Sequence, residues 1–172
     1  FSCMGSALFK SLFPDDHPKV GLLNVGLEEH KGNDILKKTF SILKDNKINN
    51  FDFAGFIEGN HIMDGDINVI VTDGFTGNVA LKTAEGTANF ISTNLKKSLN
   101  KLSLLFSYIG LRKFKQKLDP RNYNGAIFLG LEGPVVKSHG STDAVGFAYS
   151  INMCNKIIKS GLIKKIKSNL IT

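Results

Sequence analysis

The chain has 172 residues, of which 42% are hydrophobic, so its composition is that of a globular protein and excludes an intrinsically disordered one. Its 22 Lys and Arg residues exceed its 15 Asp and Glu residues, and the net charge of +7 favours anionic partners: phosphates, anionic lipids, acidic proteins or nucleic acid. The apolar runs are shorter than the roughly 20 residues that a membrane-spanning helix needs, and only two of the basic residues are Arg, which disfavours a protein that reads DNA bases.

The first part of the chain alternates predicted helices and strands. Apolar spacing from Met4 to Leu12 predicts a helix, and because the chain begins with Phe1 inside this pattern, we expect its true start to lie upstream. Residues 20–26 and 51–59 are predicted strands. The helix between them carries one apolar face. Its residues are Ile35, Leu36, Thr39, Phe40 and Leu43.

The second part repeats this alternation. Residues 67–74 are nearly continuous β-branched residues, which predicts a strand covered on both faces. Thr76 or Asn78 is expected to cap a helix that runs to about Leu99. Residues 125–133 form the next predicted strand and residues 134–143 a loop, before an apolar helix from Ala144 to Ile157 that Ser141 and Asp143 begin. The order predicts one α/β layer domain with a largely parallel sheet.

One basic segment, residues 94–118, is expected to protrude from this domain. It contains seven Lys or Arg residues and no acid, and its Leu residues recur at helical spacing. This pattern fits either a core helix with a solvated basic face or an interfacial helix that lies on an anionic membrane. The expected membrane-facing residues are Leu102, Leu105, Phe106 and Ile109.

Three strand-to-helix loops carry Gly together with Asn, Ser or Thr, the composition of a backbone that cradles an anion. They are residues 24–33, 72–78 and 137–143. If the strands are parallel, these loops are expected at one sheet edge and form a pocket there. Lys82 lies one helical turn beyond Asn78 and is a candidate phosphate ligand, although it would also suit an ordinary surface position.

His139 is a candidate acid, base or oxyanion donor, and it would equally suit a structural hydrogen bond. The other histidines, His17, His30 and His61, have no ligand-like spacing with it, so we expect no metal. We also expect no cofactor. Cys3 and Cys154 lack the CxxC spacing of a redox or zinc site, which predicts two reduced, buried thiols.

The chain resembles the carboxyl-terminal half of the bacterial phosphate acyltransferase (PlsX) family. Three stretches carry the resemblance: “KVGLLNVGLEEHKGND”, “DGFTGNVALKTAEG” and “VVKSHGSTDAVGFAYSI”. It extends from “MGSALFK” to about Cys154 in the same order. The resemblance implies a three-layer Rossmann-like sandwich, similar to isopropylmalate dehydrogenases and phosphotransacetylases, with a protruding helical pair at residues 94–118.

The resemblance also implies an activity and a set of site residues. Members of the family transfer a fatty acyl group from acyl carrier protein to inorganic phosphate, form homodimers, and associate peripherally with the membrane from the cytoplasm. Asn78, Lys82 and His139 are the implied catalytic residues. The implied phosphate- and substrate-binding residues are Asn24, Gly26, Lys31, Gly32, Asp73, Gly74, Thr76, Gly77, Lys137, Ser138 and Gly140.

The family's glycine-rich amino-terminal segment has no counterpart in this chain. We therefore expect an incomplete pocket, exposed apolar surface and little or no catalysis by this polypeptide alone. The alternative function is a non-catalytic basic domain that docks on an anionic membrane or on acidic carrier protein. Nucleic acid is not an expected partner, because the basic segment is rich in leucine and poor in aromatic residues for base stacking.

Overall fold

The computed structural model describes residues 1–45, 50–98, 125–140 and 142–170. The chain divides into two compact units, Phe1–Thr72 with Asn124–Thr172, and Asp73–Tyr123. The first unit contains every strand of the described residues, and the described part of the second is a single long helix. The prediction of one domain with a protruding segment at residues 94–118 stays a prediction, because most of that segment lies outside the described residues.

A three-stranded parallel sheet forms the centre of the first unit. β1 (Lys19–Asn24) lies between β2 (Asp52–Glu58) and β3 (Val69–Val71). The β1–β2 register shifts where β2 carries one extra residue, and Gly55 takes up this bulge with a φ of +84°. The predicted parallel strands and the α/β class are confirmed, and the carboxyl ends of β1 and β3 lie at the same sheet edge.

The first hydrophobic cluster fills one side of this sheet. Its buried residues are Val20, Leu22, Leu43, Phe51 and Phe56. The predicted helix after β1 is α2 (Asp34–Asp45), which covers β1 and β2 with Leu43 and the half-buried Leu36 and Phe40. Ile35, from the same predicted apolar face, is 77% exposed and does not pack against this cluster, so the prediction is wrong for this residue.

The second hydrophobic cluster joins the two ends of the chain. Its buried residues are Ala7, Ile157, Leu162 and Ile166. They come from three helices: α1 (Ser2–Leu12), which confirms the predicted first helix, α4 (Ala144–Ser160) and α5 (Leu162–Leu170). Gly161 separates α4 from α5 with a left-handed φ of +67°, and its N–H caps the carbonyls of Ile157 and Ile158.

The third predicted strand does not join the parallel sheet. β4 (Ala126–Phe128) pairs antiparallel with β5 (Val135–Lys137), and within the described residues these two strands form a separate sheet. The prediction of a loop throughout residues 134–143 is therefore wrong at 135–137, and so is the expectation that all three candidate loops follow strands of one sheet. A short Val-Val-Lys run has too little periodicity to identify a strand that depends on its hairpin partner.

Other details also differ from the sequence predictions. The three residues of β3 are half-buried rather than covered on both faces, and Cys3 and Cys154 are free but half-buried. Asp143 is the N-cap of α4 and accepts from the N–H of Gly146 at 2.9 Å, whereas Ser141 lies outside the described residues.

The expected exposed apolar surface is present. Along α4, Val145, Phe147 and Ile151 are each more than half exposed. Ala144, Val145, Ala148, Tyr149 and Asn152 line a shallow concavity of about 440 Å³ on that helix. Apolar residues on more than one side of a helix, as in α4, are typical of a helix that is buried on those sides. Across the described ranges, every helix is too short or too polar to cross a bilayer.

Candidate functional site

The first candidate loop connects β1 to α2 and is organised around Asn24. Asn24 is the last residue of β1 and is only 7% exposed. Its side-chain Nδ2 donates to the carbonyl of Lys31 at 3.2 Å, which draws the far end of the loop back onto the strand. Asn33 then begins α2, since its side-chain oxygen accepts from the N–H of Leu36 at 2.9 Å.

Two glycines permit this loop conformation. Gly32 has a φ of +85°, which disfavours any residue with a side chain, and a Cβ there would collide with the carboxamide of Asn24. At Gly26 a Cβ would lie 2.7 Å from Oε2 of Glu28 and 3.2 Å from Cγ of Lys31. The stem of Lys31 and the carboxylate of Glu28 therefore both cover Gly26, so the loop is folded tightly on itself.

Lys31 is held through both of its backbone groups. Its N–H donates to the carbonyl of Glu28 at 2.9 Å, and its own carbonyl accepts from Asn24. The side chain is exposed, and among the described residues its amine has no ion-pair partner. The loop thus presents a cation on a fixed backbone at the carboxyl end of β1.

The second candidate loop follows β3 and belongs to the other compact unit. Here Asp73 begins α3 (Gly74–Ser98), accepting from the N–H and the hydroxyl of Thr76 at 2.9 and 2.5 Å. The carbonyl of Asp73 also accepts from the N–H of Gly77 at 3.0 Å. The predicted cap by Thr76 or Asn78 is therefore wrong: the carboxylate one turn earlier reaches the orphan N–H groups first.

This capping interaction has an electrostatic consequence. The hydroxyl and the backbone N–H of Thr76 stabilise the ionised carboxylate, and together they lower the pKa of Asp73 below its usual 3.8. Gly74, Thr76 and Asn78 are exposed, and Gly77 is half-buried. Because Asp73 caps the amino-terminal end of α3, a negative charge already lies where the sequence predicted a site for an anion.

Lys82 lies two turns into α3 and has a partner. Its amine donates to Oε2 of Glu85 at 2.7 Å, and both side chains are about half exposed. Sequence reasoning missed this pair, although the i, i+3 spacing of Lys82 and Glu85 is visible in the sequence. A phosphate at Lys82 would have to compete with this carboxylate.

The third candidate loop leads from β5 to α4 in the first unit. Lys137, His139 and Gly140 are exposed, and Ser138 is half-buried. The carbonyl of His139 accepts from the N–H of Thr142 at 3.1 Å, which makes a tight turn before the Asp143 cap. His139 is therefore at an exposed position shortly before α4.

Each loop is defined by its own hydrogen bonds. The β1–α2 loop and the chain at Thr72 share a sheet edge, because β1 and β3 are parallel neighbours. The β5–α4 loop follows a strand of the other sheet. A single rim formed by all three loops stays a prediction, and the expected membrane-facing residues lie outside the described ones. Those four are Leu102, Leu105, Phe106 and Ile109.

Comparison with known proteins connects these loops with a family. The chain is 57% identical to the phosphate acyltransferase of Pelagibacter ubique over 175 residues, which cover 99% of this chain and 53% of that protein. It is 42% identical to the phosphate acyltransferase of Agrobacterium fabrum over 175 residues, 99% of this chain and 50% of the relative. The corresponding protein of Paramagnetospirillum magneticum is 45% identical over 172 residues, 97% and 49% of the two chains.

The chain thus spans about half the length of the curated relatives it matches. The family model described as fatty acid synthesis protein matches residues 1–165, a range that contains all three candidate loops. The chain therefore belongs to the family of fatty acid synthesis proteins that this model describes.

Proposed function

We propose that this chain supplies part of the active site of an acyltransferase that moves a fatty acyl group from acyl carrier protein to inorganic phosphate. The observation that carries the proposal is the match to phosphate acyltransferases over 97–99% of the chain, including its three glycine-bearing loops. The excess of basic residues suits both substrates, since phosphate is an anion and acyl carrier proteins are acidic.

The proposed reaction is a substitution at a thioester carbonyl. A phosphate oxygen attacks the carbonyl carbon, and the resulting tetrahedral oxyanion collapses with cleavage of the C–S bond. The products are an acyl phosphate and the carrier protein thiol, which takes up the proton that the phosphate loses. The site must therefore hold an anion beside the thioester and stabilise a second negative charge on the carbonyl oxygen.

The three loops divide these tasks. Lys82 and Asn78, from the first turns of α3, orient phosphate, and His139 transfers the proton or donates to the oxyanion. Backbone N–H groups of the glycine-bearing turns assist them. They belong to Gly26, Gly32, Gly74, Gly77 and Gly140, with polar side chains from Asn24, Lys31, Asp73, Thr76, Lys137 and Ser138.

The test joins this chain to the amino-terminal remainder of the Pelagibacter ubique relative and measures acyl phosphate made from acyl carrier protein thioester and inorganic phosphate. We expect Lys82→Ala and His139→Ala each to lower turnover by about 100-fold or more with unchanged circular dichroism. Lys38→Ala, which removes an exposed lysine from α2, is the matched control. An intact fusion that makes no acyl phosphate would refute the proposed reaction.

We further propose that the enzyme is a homodimer that binds the cytoplasmic membrane surface peripherally through residues 94–118. The support for membrane binding is the absence of any acid between Gly86 and Leu118 together with the leucine pattern in that range. The homodimer is proposed from the family resemblance. Charge reversal at Lys97, Lys101 and Lys113 should abolish flotation with anionic vesicles and spare acyl transfer in solution. If membrane docking were the only activity detected and charge reversal abolished it, the chain would be a non-catalytic docking domain and not part of an enzyme.

A further inference from the structure

A histidine and an aspartate form a close pair just after β2. Nδ1 of His61 lies 2.7 Å from Oδ2 of Asp64, and the N–H of Asp64 donates to the carbonyl of His61 at 3.2 Å. Gly65 follows with a φ of +84°, a conformation that a residue with a side chain rarely adopts. The turn therefore holds the carboxylate against the imidazole through a side-chain contact and a backbone contact.

This pair lies at the carboxyl end of the parallel sheet. Glu58, the last residue of β2, is the register partner of Asn24, the last residue of β1. The short helical turn Gly59–His61 begins directly after Glu58. Ligands of open parallel sheets bind beyond the carboxyl ends of the strands. His61 is therefore at the same sheet edge as the β1–α2 loop.

A second histidine–aspartate pair provides a comparison at the opposite edge of the sheet. Nε2 of His17 lies 3.4 Å from Oδ1 of Asp52, the first residue of β2. The side chains of both pairs are between 47% and 69% exposed, but the contact of His61 with Asp64 is shorter, at 2.7 Å. Of the two pairs, the one at the carboxyl edge combines a short hydrogen bond with a position where a substrate is expected.

The hydrogen bond to Asp64 determines what the imidazole of His61 can do. An ionised carboxylate only accepts, so the proton of the neutral ring is on Nδ1 and Nε2 keeps its lone pair. Within the described ranges, Nε2 has no hydrogen-bond partner. The same hydrogen bond raises the pKa of His61 above its usual 6.5, and the negative charges of Asp64, Glu58 and Asp66 act in the same direction. All three acids belong to β2 or to the chain between β2 and β3.

We propose that His61 is a catalytic acid–base residue of the acyl transfer and that Asp64 is its positioning residue. Nε2 accepts the proton that the attacking phosphate loses as its oxygen bonds to the carbonyl carbon. The imidazolium then returns this proton to the thiolate that leaves when the C–S bond breaks, so no proton is gained or lost overall. His139 is left to donate to the oxyanion. This inference deepens the proposed function and rests on it for the identity of both substrates.

The kinetic test uses the fusion with the Pelagibacter ubique amino-terminal part. His61→Gln should lower kcat about 100-fold or more and change the KM for phosphate less than about threefold, because an interaction made in the transition state is lost. His17→Gln, at the other edge of the sheet, is the matched control and should leave kcat unchanged. Circular dichroism of each variant checks that the fold is intact.

The pH profile tests the role of Asp64. The base must be neutral, so the acidic limb of kcat at saturating phosphate should follow the pKa of His61. Asp64→Asn should move this limb to lower pH, because the pKa of His61 falls when the carboxylate is removed. A limb that Asp64→Asn left unmoved would overturn the positioning role of Asp64.

A second measurement does not depend on turnover. Followed by NMR in the fusion, the titration midpoint of the His61 ring should rise when phosphate is added, because a nearby dianion stabilises the imidazolium. The midpoint of His17 should stay the same. Equal responses of the two rings would contradict a phosphate site beside His61.

The outcomes separate this inference from the proposed function. Normal acyl phosphate production with an unchanged kcat and pH profile in His61→Gln would overturn the role of His61 and leave the reaction intact. An unsubstituted fusion that made no acyl phosphate would refute the reaction itself.

Discussion

The two strand-to-helix loops after β1 and β3 use the same residue types but are built by different forces. The β1–α2 loop depends on a buried carboxamide, a left-handed glycine and the packed strand behind them. The β3–α3 loop depends on hydrogen bonds within one exposed turn, between Asp73 and Thr76. The first loop is therefore fixed by tertiary packing and the second by local capping, so different perturbations should loosen each.

The largest expected effect comes from removing the packing behind the first loop. Leu22, in the middle of β1, is 1% exposed, and Leu22→Ala should lower the free energy of unfolding by about 2–5 kcal/mol because it leaves a cavity. Urea titration followed by circular dichroism measures this change. Leu27→Ala is the matched control, because Leu27 lies in the loop and is 57% exposed. Equal losses from the two variants would contradict a packed origin for this loop.

A smaller effect is expected from Gly32→Ala, which tests the fit against Asn24. The positive φ alone should cost about 1–2 kcal/mol, and overlap with the carboxamide should add to that loss of stability. Gly65→Ala is a matched control: Gly65 has a φ of +84°, and within the described ranges no atom lies within 4 Å of a Cβ added there, so it carries only the backbone cost. In thermal denaturation, Gly32→Ala should have the lower melting temperature of the two variants. Equal melting temperatures would exclude the steric contact with Asn24.

The stability of the β3–α3 loop should decrease at acidic pH. The pKa of Asp73 is lowered in the folded state, so its contribution to stability is full above the unfolded value of 3.8 and is lost as the pH falls through the lower folded value. The Thr76 amide should therefore lose protection from hydrogen exchange in that acidic range. Asp73→Asn keeps an acceptor but cannot titrate, and protection that still fell with pH in this variant would refute the assignment.

The smallest expected effect concerns the pair at Lys82. Glu85→Gln releases the amine of Lys82, and in the fusion enzyme it should lower the phosphate KM by no more than about fivefold, since exposed ion pairs are weak. Raising the salt concentration should reduce the difference. A phosphate KM that rose in Glu85→Gln would mean that the carboxylate assists the reaction rather than competing with phosphate.

The sequence predicts local features of this molecule better than those that depend on distant contacts. The strands β1 and β2 and helices α1, α2 and α4 follow from apolar periodicity, and the turn before α3 follows from its Asp, Gly and Thr residues. The predicted cap of α3 nonetheless lies one turn too late, because Asp73, Thr76 and Asn78 can all cap a helix and spacing alone does not rank them.

The remaining features depend on residues far apart in the chain. The sequence of residues 20–33 does not reveal that Asn24 is buried, since its burial depends on pairing with β2 and on the folding of the loop back onto the strand. The local sequence does not predict the separate β4–β5 sheet either, because a three-residue strand is defined by its pairing partner. The Lys82–Glu85 pair was predictable from spacing, whereas the lack of a partner for Lys31 among the described residues required the folded chain.

Helix α1 has a consequence for how the chain reaches its folded state. Cys3 contacts the first hydrophobic cluster, Ala7 belongs to the second, and Gly5 lies so close to Val69 that a methyl group would not fit. Ala7 therefore meets Ile166, about 160 residues later in the chain, and such distant contacts slow folding. On the ribosome, α1 emerges well before its partner α5, so its apolar side stays uncovered until α5 has been synthesised.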